Sequence, residues 1–231
     1  MIYTESHHIT PDFFVPKIQD EFKDRIGESY DKYYEKGHTY RPFGFASVLF
    51  NTRFSKDDVI LDLGGACSYY SIFLSDIVSK IYIVDNFTFA ACKVWEDTLH
   101  EFPEFANGKI SLIKSNGIDL IFKDNSIDHV ITFSVLEHCI NDEDTKSVLE
   151  IERVLKSGGT FSGTVDFNPA TEYPLPIDHP TVRMYTYKSL IDRVINVSGL
   201  KLAGGDYEQY REVPEKVDYV GCEIFFKMIK A

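Results

Sequence analysis

Short apolar runs rich in β-branched residues recur along the chain, separated by stretches whose apolar positions follow helical spacing. Val59–Leu63, Ile81–Val84, Ile110–Lys114 and Ile127–Phe133 read as buried strands, and Gly159–Val165 as a fifth. Tyr69, Tyr70, Phe73, Leu74 and Ile77 fall at the i, i+3, i+4, i+7 positions of one helix face. Thr88 to Phe102 reads as a second helix with Thr88 as its N-cap, stopped by Pro103. Val148, Ile151 and Leu155 line a third, which starts at Asn141-Asp142-Glu143-Asp144, whose acids the macrodipole favours there, and ends at Gly158-Gly159. Thr186 caps a helix carrying Leu190, Ile191, Val194 and Ile195, closed by Gly199. Leu200–Tyr207 and Tyr219–Ile229 read as the last two strands. Strands alternating with helices give an α/β class.

Two parts of the chain break this rhythm. Residues 1–55 precede the first strand and are rich in aromatics, among them Phe13, Phe14, Tyr30, Tyr33, Tyr34, Tyr40, Phe43 and Phe45. Asp20 to Lys36 has the spacing of one or two short amphipathic helices, and Gly37 to Pro42 reads as a loop. The second is Asp166 to Tyr185, where four prolines exclude a long helix or a central strand. A connection of that length in a compact domain is commonly functional.

The chemistry gathers where the first strand ends. Gly64 and Gly65 follow Asp62-Leu63 at once, so the backbone turns tightly there and a ligand can come close. Asp85 ends the second run about twenty residues on, the separation that brings a carboxylate to a ribose. Asp62-Leu63-Gly64-Gly65-Ala66-Cys67-Ser68 resembles the first motif of class I S-adenosylmethionine-dependent methyltransferases, usually (Asp/Glu)-x-Gly-x-Gly-x-Gly, with Ala66 and Ser68 at the second and third glycines. Asp124-Asn125-Ser126-Ile127-Asp128 through Ser134 to Leu136-Glu137-His138 is similar to a second segment of the small-molecule, type 11 members. The resemblance spans roughly residues 57 to 166.

It implies a doubly wound, seven-stranded, mostly parallel sheet with an antiparallel hairpin at the end. Residues 1–55 would be a cap over the cleft and 56–231 the methyltransferase domain. S-adenosylmethionine would lie on Asp62, Gly64, Gly65, Ala66, Asp85, Asn86, Asn116, Gly117, Phe133 and Ser134. Asn116 stands where the family commonly has an adenine-binding Asp, and its amide can both accept and donate. His138, or His179 in the proline-rich stretch, would take a proton from the acceptor, since histidine titrates near neutrality. Tyr33, His38, Tyr40, Arg41, Asp166 and Arg183 are the candidate acceptor contacts. No tight spacing of metal ligands is evident; Asp166, Asp178 and His179 are the nearest approach to one.

Composition narrows the partners. A net charge of −12 without clustered Lys or Arg argues against nucleic acid. No run approaches the ~18 apolar residues of a membrane span. Met1 to His8 lacks a basic segment followed by an apolar core, and Cys67, Cys92, Cys139 and Cys222 are too scattered for a disulfide framework or zinc site, so a cytoplasmic protein is expected. The expected partner is a small-molecule acceptor: a sugar, amine or phenolic metabolite methylated on O or N. The oligomeric state stays open. Two rival readings are a non-catalytic adenosyl- or partner-binding protein of this fold and a nicotinamide dehydrogenase. The latter leaves Leu136-Glu137-His138 unexplained.

Overall fold

The computed structural model describes residues 41–65, 70–88, 102–167, 183–203 and 222–231, together with Asp20 and Asp24. Seven strands form one sheet: β1 (Val59–Leu63), β2 (Lys80–Asp85), β3 (Ile110–Lys114), β4 (Ile127–Phe133), β5 (Leu155–Phe167), β6 (Lys201–Leu202) and β7 (Cys222–Ile229). Their order across the sheet is β3-β2-β1-β4-β5-β7-β6. The first five pair in parallel, and β7 runs antiparallel to both β5 and β6. This is the α/β, seven-stranded arrangement with an antiparallel end that the resemblance implies.

Alternation along the strands divides the core into two layers. Ile60, Ile81, Ile83, Ile131, Phe133 and Phe225 point to one face and pack with Phe45, Val48, Tyr70, Ile72 and Leu74. These come from α1 (Arg41–Asn51) and α2 (Tyr70–Leu74). Leu61, Leu63, Val84, Val130, Phe161 and Phe226 point to the other face, onto Val148, Ile151 and Val154 of α4 (Glu143–Val154) and onto Leu190 and Val194. The last two belong to α5 (Tyr187–Leu190) and the π-turn Ile191–Ile195 that continues it. A short α3 (Pro103–Ala106) precedes β3. Helix α1, drawn from the aromatic N-terminal segment, lies against β4, β5 and β7.

Most expected elements fall where the pattern put them, and Thr186 does cap α5, in a reciprocal capping box with Ser189. Three differ. Helix α2 stops at Leu74 rather than running to Ile77, and the Ser75 hydroxyl takes the Ile72 carbonyl at 2.6 Å, competing with the helical ladder. Gly158-Gly159 does not end α4: the helix stops at Val154, and both glycines lie inside β5. The last carbonyls are met instead by Asn125 N and Ser126 N, which donate to Arg153 O at 3.1 Å and Val154 O at 2.8 Å, and by Lys230, whose Nζ donates to Glu152 O at 2.6 Å and Leu155 O at 2.7 Å. Of the strand expected over 200–207, only Lys201–Leu202 pairs; residues 204–221 lie outside the described residues, as do the expected helices over 88–102 and 20–36 for almost all of their length.

Candidate functional site

The strand order reverses between β1 and β4, because β1 continues into β2 and β3 on one side while β4 continues into β5 on the other. In open α/β sheets the crevice at the carboxyl ends beside such a reversal is where ligands bind. Gly64 and Gly65 stand at its centre. Gly64 holds φ +74°, its N–H donates to Val84 O at 2.7 Å, and a Cβ on it would overlap the Val135 side chain. A Cβ on Gly65 would overlap the carboxyl of Asp62. Alternation puts Asp62 on the α2 side of the sheet, fully buried, where Ser71 Oγ donates to its Oδ2 at 2.7 Å. The close approach seen at these glycines is thus first of all to the protein's own side chains.

Neighbouring strand ends bring the next candidates alongside. Asp85, half-buried at the tip of β2, accepts from Phe87 N at 2.7 Å, and Phe87 takes a left-handed φ of +58°. Asn86 is exposed, and its side-chain oxygen accepts from Thr88 N at 3.0 Å and Thr88 Oγ1 at 2.7 Å, an Asx turn. Ser115 N donates to Asp85 O at 2.9 Å, which carries the chain from β3 into Asn116, exposed, and Gly117, buried at φ +75°. A Cβ on Gly117 would sit 2.8 Å from Leu63 Cδ1.

At the tip of β4, Phe133 is buried and Ser134 holds φ +53°, its N–H donating to Thr164 O at 3.0 Å. A non-glycine residue in the left-handed region stores strain of the kind that collects at functional sites. One 3₁₀ turn, Leu136–His138, follows directly and carries the candidate base His138, half-buried. Glu137 is fully buried and structural: its Oε1 accepts from Asp166 N at 2.9 Å and its carbonyl from Arg183 N at 2.7 Å. It therefore joins the turn bearing His138 to the end of β5, where Asp166 is half-buried. Cys139 is no nucleophile here, since burial, then Asp144, pushes its thiol up to about 12.

Arg183, expected at the acceptor, is engaged by the protein itself. Its Nη1 donates to Asp144 Oδ2 at 2.7 Å and its Nη2 to Asn141 O at 3.2 Å. Asp144, fully buried rather than solvated at the helix start, also accepts from Arg193 Nε at 2.8 Å and Nη2 at 2.6 Å, and from Tyr185 Oη at 2.6 Å. Burial, and then Asp144, pushes the Tyr185 phenol well above its usual range. Motif reading missed this cluster, although a signal was present: Asp144 lies four residues before Val148, on the stripe that continues to Ile151. Of the remaining candidates, Arg41 opens α1 and only its backbone is described, while Tyr33, His38, Tyr40, Ala66 and His179, with Asp178, lie outside the described residues.

The described residues fit an adenosyl cofactor in one testable respect: at the ends of β1 and β3 three glycines each stand directly against a neighbouring side chain, Val135, Asp62 or Leu63, which draws bare backbone close in around the strand ends, with an acid at the end of the strand between them. Comparison with known proteins points the same way. Residues 61–162 match the family described as "Methyltransferase domain". No curated protein matches the chain by sequence. Among solved structures, the Burkholderia thailandensis 1,6-didemethyltoxoflavin-N1-methyltransferase, with bound 1,6-didemethyltoxoflavin and S-adenosylhomocysteine, is similar at 13% identity and TM-score 0.60, over 99% of this chain and 94% of that one. A chain of the Haloferax volcanii complex between the Trm112 methyltransferase activator and a methyltransferase is similar at 17% identity and TM-score 0.58, covering 97% and 99%. The [4+2]-cyclase SpnF is similar at 15% identity and TM-score 0.60, covering 80% of each chain. At these identities the likeness is one of fold. The strand order and the match over residues 61–162 agree: that part of the chain is similar to a methyltransferase domain, and the sheet has the arrangement of the solved methyltransferase structures it resembles.

Proposed function

We propose that the protein transfers a methyl group from S-adenosylmethionine to an oxygen or nitrogen of a small molecule. The observation that carries this reading is the Gly64-Gly65 turn at the strand reversal, closed in by Asp62 and Val135, with Asp85 at the end of the adjoining strand. When bound, the cofactor supplies an already electrophilic methyl on its sulfonium, so the protein's share of the work is alignment. Gly64, Gly65 and Ala66 leave room for the methionine and ribose portions, and Asp85 accepts from the ribose hydroxyls. Asn86, Asn116 and Gly117 face the adenine side, while Phe133 and Ser134 border the methionine part. Asp62 acts through Gly65, as a buried carboxylate fixed by Ser71.

On the acceptor side, His138 holds the proton released by a hydroxyl or amine, with His179 as the alternative. Tyr33, His38, Tyr40, Arg41 and Asp166 contact the acceptor, and Arg183, tied to Asp144, sets the neighbouring backbone. Among the described residues no helix is long and apolar enough to cross a membrane, which suits a cytoplasmic small-molecule enzyme. Titration calorimetry with S-adenosylmethionine and S-adenosylhomocysteine tests the reading: micromolar binding, lost in Asp85→Ala, is expected, and no binding to the wild-type protein would refute it.

A second reading, an adenosyl-binding protein without methyl transfer, is favoured by Ala66 and Ser68 at the motif's glycine positions and by the fold's likeness to a cyclase. Transfer of label from S-adenosylmethionine to any member of an acceptor panel would remove it.

A further inference from the structure

Helix α1 lies outside the matched segment 61–162, yet it is built into the cleft's floor. Gly44 faces the register partners Phe133 and Thr164 at the carboxyl ends of β4 and β5; a Cβ there would sit 2.8 Å from Thr164 Cγ2 and 3.0 Å from Phe133 Cδ1. That approach seats Phe45, fully buried, flat on Tyr70, with ring centroids 4.3 Å apart and planes 20° from parallel. Phe45 also meets Phe73 and Phe133 edge-on, at 5.5 and 6.2 Å, and Tyr70 meets Phe133 at 5.1 Å. Tyr70 is the first residue of α2, and Ser71, beside it, holds the Asp62 carboxylate. Asp62 in turn fills the space next to Gly65.

We propose that Phe45 is a positioning residue for the cofactor turn, acting through Tyr70, Ser71 and Asp62 to fix Gly65. This rests on the cofactor reading above. The physical basis is the narrow tolerance of each link. An offset stack holds the ring of Tyr70 at one separation and angle. The Ser71 hydroxyl meets a buried carboxylate, and such a bond weakens steeply with distance and angle. The Asp62 carboxyl lies directly against Gly65, in the space a Cβ would occupy. A shift of Tyr70 therefore reaches the glycine turn instead of being absorbed on the way, because close-packed interiors transmit strain.

The test is calorimetric titration with S-adenosylhomocysteine, paired with thermal melts, on the wild type, Phe45→Leu, Ser71→Ala, the double variant, Phe45→Tyr and Val48→Ala. Phe45→Leu keeps an apolar side chain and is expected to weaken binding about tenfold, a coupling of ordinary size. Phe45→Tyr keeps the ring on Tyr70 at the cost of a buried hydroxyl, so it is expected to lower the melting temperature while retaining more affinity than Phe45→Leu. The double variant should bind no worse than the weaker single, as two links of one chain would. Val48, equally buried on α1 but outside the stack, is the control: Val48→Ala lowers the melting temperature and leaves affinity unchanged. Affinity within twofold of wild type in Phe45→Leu, or additive losses in the double variant, would overturn the relay. If the wild type binds and Asp85→Ala does not, such a result sinks the relay alone; if the wild type fails to bind, the cofactor reading falls and takes the relay with it.

Discussion

Gly108 and Gly158, at the amino ends of β3 and β5, hold φ +78° and +79°, with nothing within 4 Å of where a Cβ would stand. Gly64 and Gly117, at the carboxyl ends of β1 and β3, hold nearly the same angles with Val135 and Leu63 in that space. The two edges of one sheet thus use glycine for different reasons. At the amino edge the residue only turns the chain, and at the carboxyl edge it also makes room.

Buried charge divides the same way. At the amino edge, His129 is held between Thr160 Oγ1 at 2.8 Å and Asp58 Oδ2 at 3.2 Å, with Phe54 edge-on at 5.2 Å. It reads as a satisfied histidine, its pair still partly open to solvent. At the carboxyl edge, Asp62, Glu137 and Asp144 have no exposed surface at all, and each holds together chain segments far apart in sequence or at the cleft. Rigidity there is concentrated where a ligand would need a fixed frame.

The contrast can be broken most forcefully at Asp144. Asp144→Ala leaves two arginines and a tyrosine facing an empty site, and should cost about 3–5 kcal/mol in chemical denaturation, as loss of one partner of a buried ion pair does. A change under about 1 kcal/mol would show that the cluster is not holding this edge together. Next comes Gly64→Ala, which adds a left-handed non-glycine residue to an overlap with Val135. About 3 kcal/mol of destabilisation is expected, together with loss of S-adenosylhomocysteine binding in calorimetry.

His129 sharpens the comparison by pH. Burial lowers its pKa below the ordinary histidine value, outweighing the opposing pull of Asp58 and Asp128. The unfolded chain then binds the proton first, so this contribution to stability is full above pH ~6.5 and is lost as pH falls through and below that value. Urea denaturation from pH 7 to 5 should show a shallower decline for His129→Gln than for the wild type; equal slopes would refute the assignment. The smallest effect is Gly108→Asn at the open amino-edge turn, within about 1 kcal/mol, since Asn adopts the left-handed region readily. A loss as large as that of Gly64→Ala would erase the distinction between the edges.

The strands were legible because continuous apolar runs such as Val59-Ile60-Leu61 leave little alternative to a buried strand, whereas the sheet's arrangement was implied only by the family resemblance. The carboxyl-edge candidates Asp62, Gly64, Gly65, Asp85, Gly117, Phe133 and Ser134 do lie at adjoining strand ends, as motif spacing led one to expect. What sequence could not convey was which partner each polar group takes. Arg183 in a polar, proline-rich stretch reads as a free hand for a substrate, and only the fold brings it to Asp144, 39 positions earlier. Gly158-Gly159 looks like a helix stop because the groups that actually meet the last carbonyls of α4, on Asn125, Ser126 and Lys230, are remote in sequence. Local pattern carries local geometry, whereas the partners of Arg183 and of the end of α4 are set by long-range polar contacts.

Lys230 belongs to the same stretch of chain as β7, and that pairing bears on the order of assembly. Strand β5 is flanked by β4 on one side and by residues 222–229 on the other. Until that later strand arrives, β5 is an edge, with eight residues of unpaired backbone from Thr160 to Phe167 running up to the site, and the carbonyls of Glu152 and Leu155 at the end of α4 lack the Lys230 ammonium. Both defects are closed by one segment in one step, over a sequence separation that makes the step slow and exposes an aggregation-competent surface while it is pending.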